Sequence, residues 1–304
     1  MQGPALHQAP IHLDDPERGG WIWLVAGTGE GPPLAARLLE RGWTVQVSVV
    51  SGAATRAYPA HPALQLQVGP LGGAGAEAGE AARAVRTQLR TAASQGRPCR
   101  WLIDASHPFA LRISAALAEA CRMEGQPLLR LLRPSVDATA PVVAPSSAGA
   151  NAPKVLADLA DLARQPLADR RLLLAIGARR LAEAMAHCPG AIHHARLLPT
   201  PAALRQAMAA GIAPERVACL RPPAAAEAAA AVEAALCRRW RIEAVLCRRS
   251  GGPSERHWRR ISAELGLGLL LLERPQEPAG VPALELEALL ERVGAPAGCQ
   301  PHRL

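Results

Sequence analysis

The sequence predicts an α/β protein of two doubly wound parallel-sheet domains with an interdomain cleft. Three observations carry this. Short, continuous apolar runs, as a strand covered on both faces requires, alternate with stretches of helical period. Most runs stop at glycine, proline or a small polar residue. The series also occurs twice with one layout, finishing each time on an apolar strand followed by Arg-Pro, at Arg133-Pro134 and at Arg274-Pro275.

Trp21 to Ala26 opens the first series as a buried strand and ends in Gly27-Thr28-Gly29-Glu30-Gly31, after which Leu34, Leu38 and Leu39 recur at helical spacing. Trp43 to Val50 is a second strand ending at Ser51-Gly52. Leu64 to Val68 alternates as a third and closes at Gly69-Pro70. A helix from about Glu77 to Ala93 precedes the strand that ends in Asp104-Ala105-Ser106-His107-Pro108. The following helix runs to Cys121, with Pro108 expected in its first turn and Ser106 or His107 as its cap. Pro127 to Leu132 is the fifth strand. The second series places strands at Arg171 to Gly177, Ala191 to Leu198, Val217 to Leu220, Ala244 to Cys247 and Leu267 to Leu272. Helices separate them, from Ala178 to His187, Pro201 to Ala210, about Ala224 to Trp240, and Ser254 to Leu265. Right-handed crossovers then make both sheets parallel. These readings put the domains at 20–140 and 154–296, joined by a linker at 141–153 within a Pro-, Ser- and Ala-rich stretch. An irregular extension over 1–19 and a tail over 297–304 complete the chain.

The chain has 304 residues, 49% of them hydrophobic, and a formal net charge of +8 from 34 Lys+Arg against 26 Asp+Glu. Arginine supplies nearly all of the positive charge and is spread along the chain, which suits an anionic ligand as well as a solvated surface. One Phe and one Tyr argue against stacking platforms for single-stranded nucleic acid. No run approaches the ~18 apolar residues of a membrane span, and residues 1–19 lack the apolar core of a signal peptide. Seven cysteines without a C-x-x-C pair read as reduced thiols. The expectation is a soluble, cytoplasmic protein that binds no nucleic acid and no membrane; its oligomeric state stays open.

Two turns of the first series suit anions. Gly27, Thr28, Gly29 and Glu30 lie between a buried strand and a helix, where open backbone lets a pyrophosphate approach the helix N-terminus, although the full G-x-G-x-x-G and the Walker lysine are both missing. Asp104, Ser106, His107 and Pro108 form the comparable turn after the fourth strand, with Gly69 closing the third. No acidic residue ends the second strand. Ser51 stands there with Thr55 and Arg56 after it, and a hydroxyl plus a guanidinium accommodate a 2′-phosphate where a carboxylate would bind a ribose diol. In the second series Arg248, Arg249, Ser250, Gly251 and Gly252 combine fixed charge with exposed backbone N–H groups, and Arg221 marks a further turn at the same edge. His187, His193 and His194 have no suitably spaced partners, so no metal is expected.

These residues resemble the precorrin-6A reductases of corrin-ring (cobalamin) biosynthesis, the cobalt-precorrin-6A reductases included. The carrying motifs are Gly27-Thr28-Gly29-Glu30, Asp104-Ala105-Ser106-His107-Pro108-Phe109-Ala110 with Ile113-Ser114, Leu128-Leu129-Arg130-Leu131 to Arg133-Pro134, Ser250-Gly251-Gly252, and Glu273-Arg274-Pro275. The similarity spans about residues 21 to 276. It implies two Rossmann-like domains and an oxidoreductase that uses NADPH to reduce one double bond of the carboxylate-rich precorrin-6A macrocycle. The first domain would bind the cofactor, and Arg221 and Arg248 to Gly252 would face the substrate. Another NADP-dependent oxidoreductase, or a non-catalytic NADP- or tetrapyrrole-binding module, is the alternative on the same scaffold. The resemblance names no proton donor; His107 and Arg248 are the candidates, with ligand positioning favoured for His107. Family members typically carry Lys and then a small polar residue where this chain has Arg248-Arg249, and Pro222-Pro223-Ala224 stands where Gly-Pro-Phe is usual.

Overall fold

The computed structural model describes residues 20–27, 29–73, 75–136, 152–220 and 226–296. Thr28, Arg221, Pro222 to Ala224, the extension over 1–19, most of the linker and the tail lie outside the described residues. The elements are β1 (Trp21–Ala26), α1 (Gly31–Glu40), β2 (Thr44–Val49), β3 (Leu64–Val68), α2 (Ala78–Ser94), β4 (Cys99–Ala105), α3 (Leu111–Glu124), β5 (Leu128–Leu131), β6 (Lys154–Leu156), β7 (Arg171–Ala175), α4 (Leu181–His187), β8 (Ile192–Leu197), α5 (Pro201–Ala209), β9 (Val217–Cys219), α6 (Ala226–Trp240), β10 (Ala244–Arg248), α7 (Pro253–Leu265), β11 (Gly268–Leu272), β12 (Ala283–Leu284) and α8 (Leu286–Val293). No helix among the described residues is long and apolar enough to cross a membrane.

The chain divides into two compact units. The first contains residues up to Leu132 together with Pro275 onward; the second runs from Arg133 to Arg274. The first unit's sheet has the order β12-β5-β4-β1-β2-β3, and every pair in it is parallel. Its central strand β1 is buried at all six positions, which explains its unbroken apolar run. Trp23 is fully buried, and its indole N–H donates to Ser48 Oγ at 2.9 Å, so the polar end of the largest core side chain is satisfied inside the sheet. α1 covers one face with Leu34, Ala35 and Leu38, while α2 and α3 cover the other with Val85, Leu89, Ala116, Leu117 and Ala120.

The second unit's sheet has the order β6-β11-β10-β7-β8-β9, again all parallel. Leu173, Val245 and Leu271 from adjacent strands pack with Trp258 and Ile261 of α7. Both sheets therefore have a doubly wound order. The chain moves one way from the first strand of each series and the other way from the fourth, which leaves a switch point between β1 and β4 and another between β7 and β10.

Three expectations are corrected. Residues 275–296 were expected in the second domain, yet β12 pairs with β5 and α8 seats Leu289, Leu290 and Val293 in the core around Leu34, Leu38 and Trp43. The reason is packing: an amphipathic helix goes where an apolar face awaits it, and the Trp43 indole donating to Gly294 O at 2.9 Å and the paired 3.0 Å bonds from Arg37 to Glu287 fasten it there. The second unit also begins at Arg133, earlier than the expected 154. Pro108 is not in a helix, because α3 starts at Leu111. Residues 107–110 form a tight turn instead, with the Ala110 amide donating to His107 O at 2.7 Å.

Candidate functional site

At the first switch point, β1 leads through Gly27 and Gly29 into α1, whose first turn contains Pro32 and Pro33. A side-chain carbon added at Gly27 or Gly29 would meet nothing within 4 Å, so this stretch of backbone is open. Gly31 differs. A Cβ there would lie 2.7 Å from that of Ala26 and collide with the Tyr58 hydroxyl, so close approach of helix, strand and tyrosine requires glycine. Glu30 is the residue before the helix; its carbonyl accepts the Leu34 amide at 3.2 Å and its side chain does not cap the helix.

Beside it, β4 ends in a closed polar cluster. Asp104 is only 2% exposed: one carboxylate oxygen accepts the Ser106 amide at 2.9 Å and the other accepts from the Arg130 guanidinium. Arg130, also buried, donates to Ser114 Oγ at 2.7 Å and pairs with Glu277. Ser106 Oγ lies 3.4 Å from Ser114 Oγ. Asp104 was expected to touch the cofactor. Its oxygens are instead committed to the protein, and its work is to hold the turn that carries Ser106, His107 and Pro108. His107 is half-buried; its Nδ1 accepts the Phe109 amide at 3.1 Å, which puts the proton of the neutral ring on Nε2.

At the end of β2, Ser51 opens a short 3₁₀ turn over Gly52–Ala57, and both Ser51 and Arg56 are exposed. Thr55 Oγ1 donates back to Gly52 O at 2.7 Å, holding the turn closed. Gly69 adopts φ +126° after β3, with its amide on Val49 O at 2.9 Å.

At the second switch point, β7 leads through Gly177 (φ +83°) to Arg179 and Arg180, and the Arg248 guanidinium of β10 lies against Gly177. Burial, with Arg180 and Arg179 adding to it, pushes the Arg248 pKa down to about 10. It is therefore still charged at neutral pH. Arg180 is held by Glu183, with one bond at 2.8 Å. Three cations thus gather where β7 and β10 end.

The neighbouring residues are occupied otherwise. Arg249 donates to Glu273 at 2.6 Å, and the Gly251 amide, expected to face an anion, donates to Glu255 at 2.8 Å. Gly251 has φ +70°, and a Cβ there would collide with Pro134 O, so glycine is a requirement of the fold at this position. Ser250 and Gly252 are buried. The residues that sequence reasoning missed are Arg179 and Arg180, read as ordinary helix, and Glu277. Arg130 inside an apolar strand signalled that a buried partner existed; nothing local signalled Glu277.

No described group of three His, Cys, Asp or Glu is placed to hold a metal ion. His193 Nε2 lies 3.4 Å from the Cys188 thiol, and the His194 ring packs on Trp240.

Comparison with known proteins supplies the family. Residues 21–293 match the family described as "Precorrin-6x reductase CbiJ/CobK". A "Cobalt-precorrin-6A reductase" of Synechocystis sp. is 31% identical over 264 residues, 85% of this chain and 90% of that protein. A "Precorrin-6A reductase" of Mycobacterium tuberculosis is 29% identical over 265 residues, 87% of this chain and 93% of the relative. The solved structure of "CobK precorrin-6A reductase" shares the fold, with a TM-score of 0.64 at 24% identity, covering 92% of this chain and all of the other. The match passes through both sheets and all four switch-point turns, and on that ground the chain belongs to the precorrin-6x reductase family.

Proposed function

We propose that this protein uses NADPH to reduce one double bond of the precorrin-6A macrocycle, metal-free or carrying cobalt, yielding precorrin-6B or its cobalt form. The observation that carries this reading is the family match over residues 21–293. Membership of the family makes the chain an oxidoreductase acting on a CH–CH bond, with a reduced nicotinamide cofactor and a tetrapyrrole substrate.

The residues at the first switch point fit a dinucleotide. Gly27 and Gly29 leave open space at the start of a ten-residue helix, where backbone N–H groups and the helix dipole favour a pyrophosphate. Thr28 stands between these glycines in the sequence, and the Glu30 carboxylate suits sugar hydroxyls better than a phosphate. Ser51 and Arg56 would take the 2′-phosphate, with Gly69, Ser106, His107 and Pro108 walling the site. When bound, the reduced nicotinamide supplies a hydride.

The carboxylate side chains of the substrate would meet Arg248 and Arg179, with Arg180 oriented by Glu183; Arg221 is a further candidate. Arg248 holds its proton too firmly to serve as the acid at neutral pH, so its role is electrostatic. His107, with its proton on Nε2, positions a ligand by donating one hydrogen bond.

The test is anaerobic incubation with precorrin-6A and, separately, cobalt-precorrin-6A, each with NADPH, followed by absorbance. Conversion of either substrate supports the reading. Saturable NADPH binding without conversion of either would leave a binding module instead. The cofactor preference has its own measurement: Arg56→Ala should weaken NADPH by about 1.5–3 kcal/mol, the range for hydrogen bonds to a charged group, and leave NADH unchanged. Equal loss for both cofactors would remove Arg56 from the site.

A further inference from the structure

We infer that a surface cleft at the amino end of the second sheet is a separate binding site for a small, multiply charged oxyanion of the phosphate or carboxylate kind. The cleft, of about 430 Å³, is lined by Arg171, Arg216, Arg239 and Arg241 together with His194, Trp240 and Glu215. Arg171 begins β7, Arg216 precedes β9, and Arg239 to Arg241 close α6 before β10. All of these positions lie at the end of the sheet opposite to the Gly177 and Arg248 turns.

The charge in the cleft is unbalanced. Arg171 has Glu243 nearby, with the guanidinium 4.0 Å from its carboxylate. Among the described residues, Arg216, Arg239 and Arg241 form no ion pair, and Glu215 is the one acidic residue lining the cleft. His194 adds no charge, since burial first, and then Arg216 and Arg171, hold its pKa below the usual histidine range. Its ring packs 5.0 Å from that of Trp240, so an aromatic pair stands beside the cations.

Basic residues in the last turn of α6 would be expected merely from the helix dipole. That does not explain arginines converging from β7 and from the segment before β9. It does not explain Arg241 either. The Arg241 amide donates to Arg238 O and the Ile242 amide to Cys237 O, a helix stop in which the residue at Arg241 must be left-handed, and its φ is +50°. The same kind of stop after α3 and α7 uses Gly125 and Gly266. At α6 an arginine occupies the glycine position despite the steric cost, and its side chain lines the cleft.

The experiment is a ¹H–¹⁵N titration of the full chain at low salt, reading the indole N–H of Trp240, assigned with Trp240→Phe. The probes are inorganic pyrophosphate and, separately, citrate. A saturable shift is expected, weakened about tenfold or more in Arg216→Glu/Arg239→Glu and by raising salt from about 0.05 M to about 0.5 M. The same shift should persist in Arg56→Ala, which separates this cleft from the cofactor site. Tighter binding of pyrophosphate assigns a phosphate ligand; tighter binding of citrate assigns a carboxylate. Absence of a shift with both probes, or a shift unchanged in the double variant with its thermal unfolding intact, would overturn the proposal.

Discussion

Asp104 and Arg130 show how a residue's role depends on what it touches. In the sequence Asp104 is a carboxylate at a strand end beside a hydroxyl and an imidazole, which suggests a ligand contact. In the fold it is buried against Arg130, which also engages Ser114 and Glu277. Such a network is costly to break and less costly to replace, because removing one partner strands a buried charge. Arg130→Met should therefore lower stability by about 3–5 kcal/mol. Adding Asp104→Asn and Glu277→Gln should restore a substantial part, both read from urea unfolding. A loss that the added substitutions do not reduce would mean that Arg130 acts through packing alone.

At the scale of an element, β8 carries a pH dependence. Burial holds both His193 and His194 below the histidine value of 6.5, so the fold keeps them neutral. Below that pH the unfolded chain takes up protons that the folded chain refuses. Stability contributed above about pH 6.5 is thus lost as pH falls, with a slope of up to about 1.4 kcal/mol per pH unit for each histidine. The urea midpoint should be lower at about pH 5 than at about pH 7.5, and His193→Gln/His194→Gln should flatten the difference. An unchanged slope in that variant would exclude the pair. Glu233, held below the carboxylate range by His257 and Arg196 against its burial, acts in a separate window, losing its contribution only below about pH 4.5.

At the scale of the molecule, each sheet has five strands from its own series and a sixth at one edge: β12, from beyond the second unit, completes the first, and β6, just ahead of β7 in the chain, joins β11 at the edge of the second. The first unit therefore depends on both ends of the chain. Ending the protein at Arg274 removes Leu289, Leu290 and Val293 from the core around Trp43, three side chains worth about 1.5–3 kcal/mol each when buried. The truncated chain should lose cooperative unfolding of the first unit and bind ANS, while the second unit keeps its own transition. A truncated protein with the full-length urea profile would contradict this dependence.

By itself the sequence determined most of the alternating strands and helices, their parallel arrangement and the location of the turns at the strand ends. These depend on local periodicity and on glycine, which act within a few residues. It also showed that Gly27 and Gly29 let a ligand approach the backbone, because glycine adds no side chain there, although a plain tight turn has the same signature. Tertiary structure alone decided that residues 275–296 return to the first sheet, that Arg130 meets both Asp104 and Glu277, and that Arg179 and Arg180 stand beside Arg248. Each of these is a contact between segments distant in sequence or on different elements. Burial and charge pairing choose such partners only once the sheets have formed, and no local pattern encodes them.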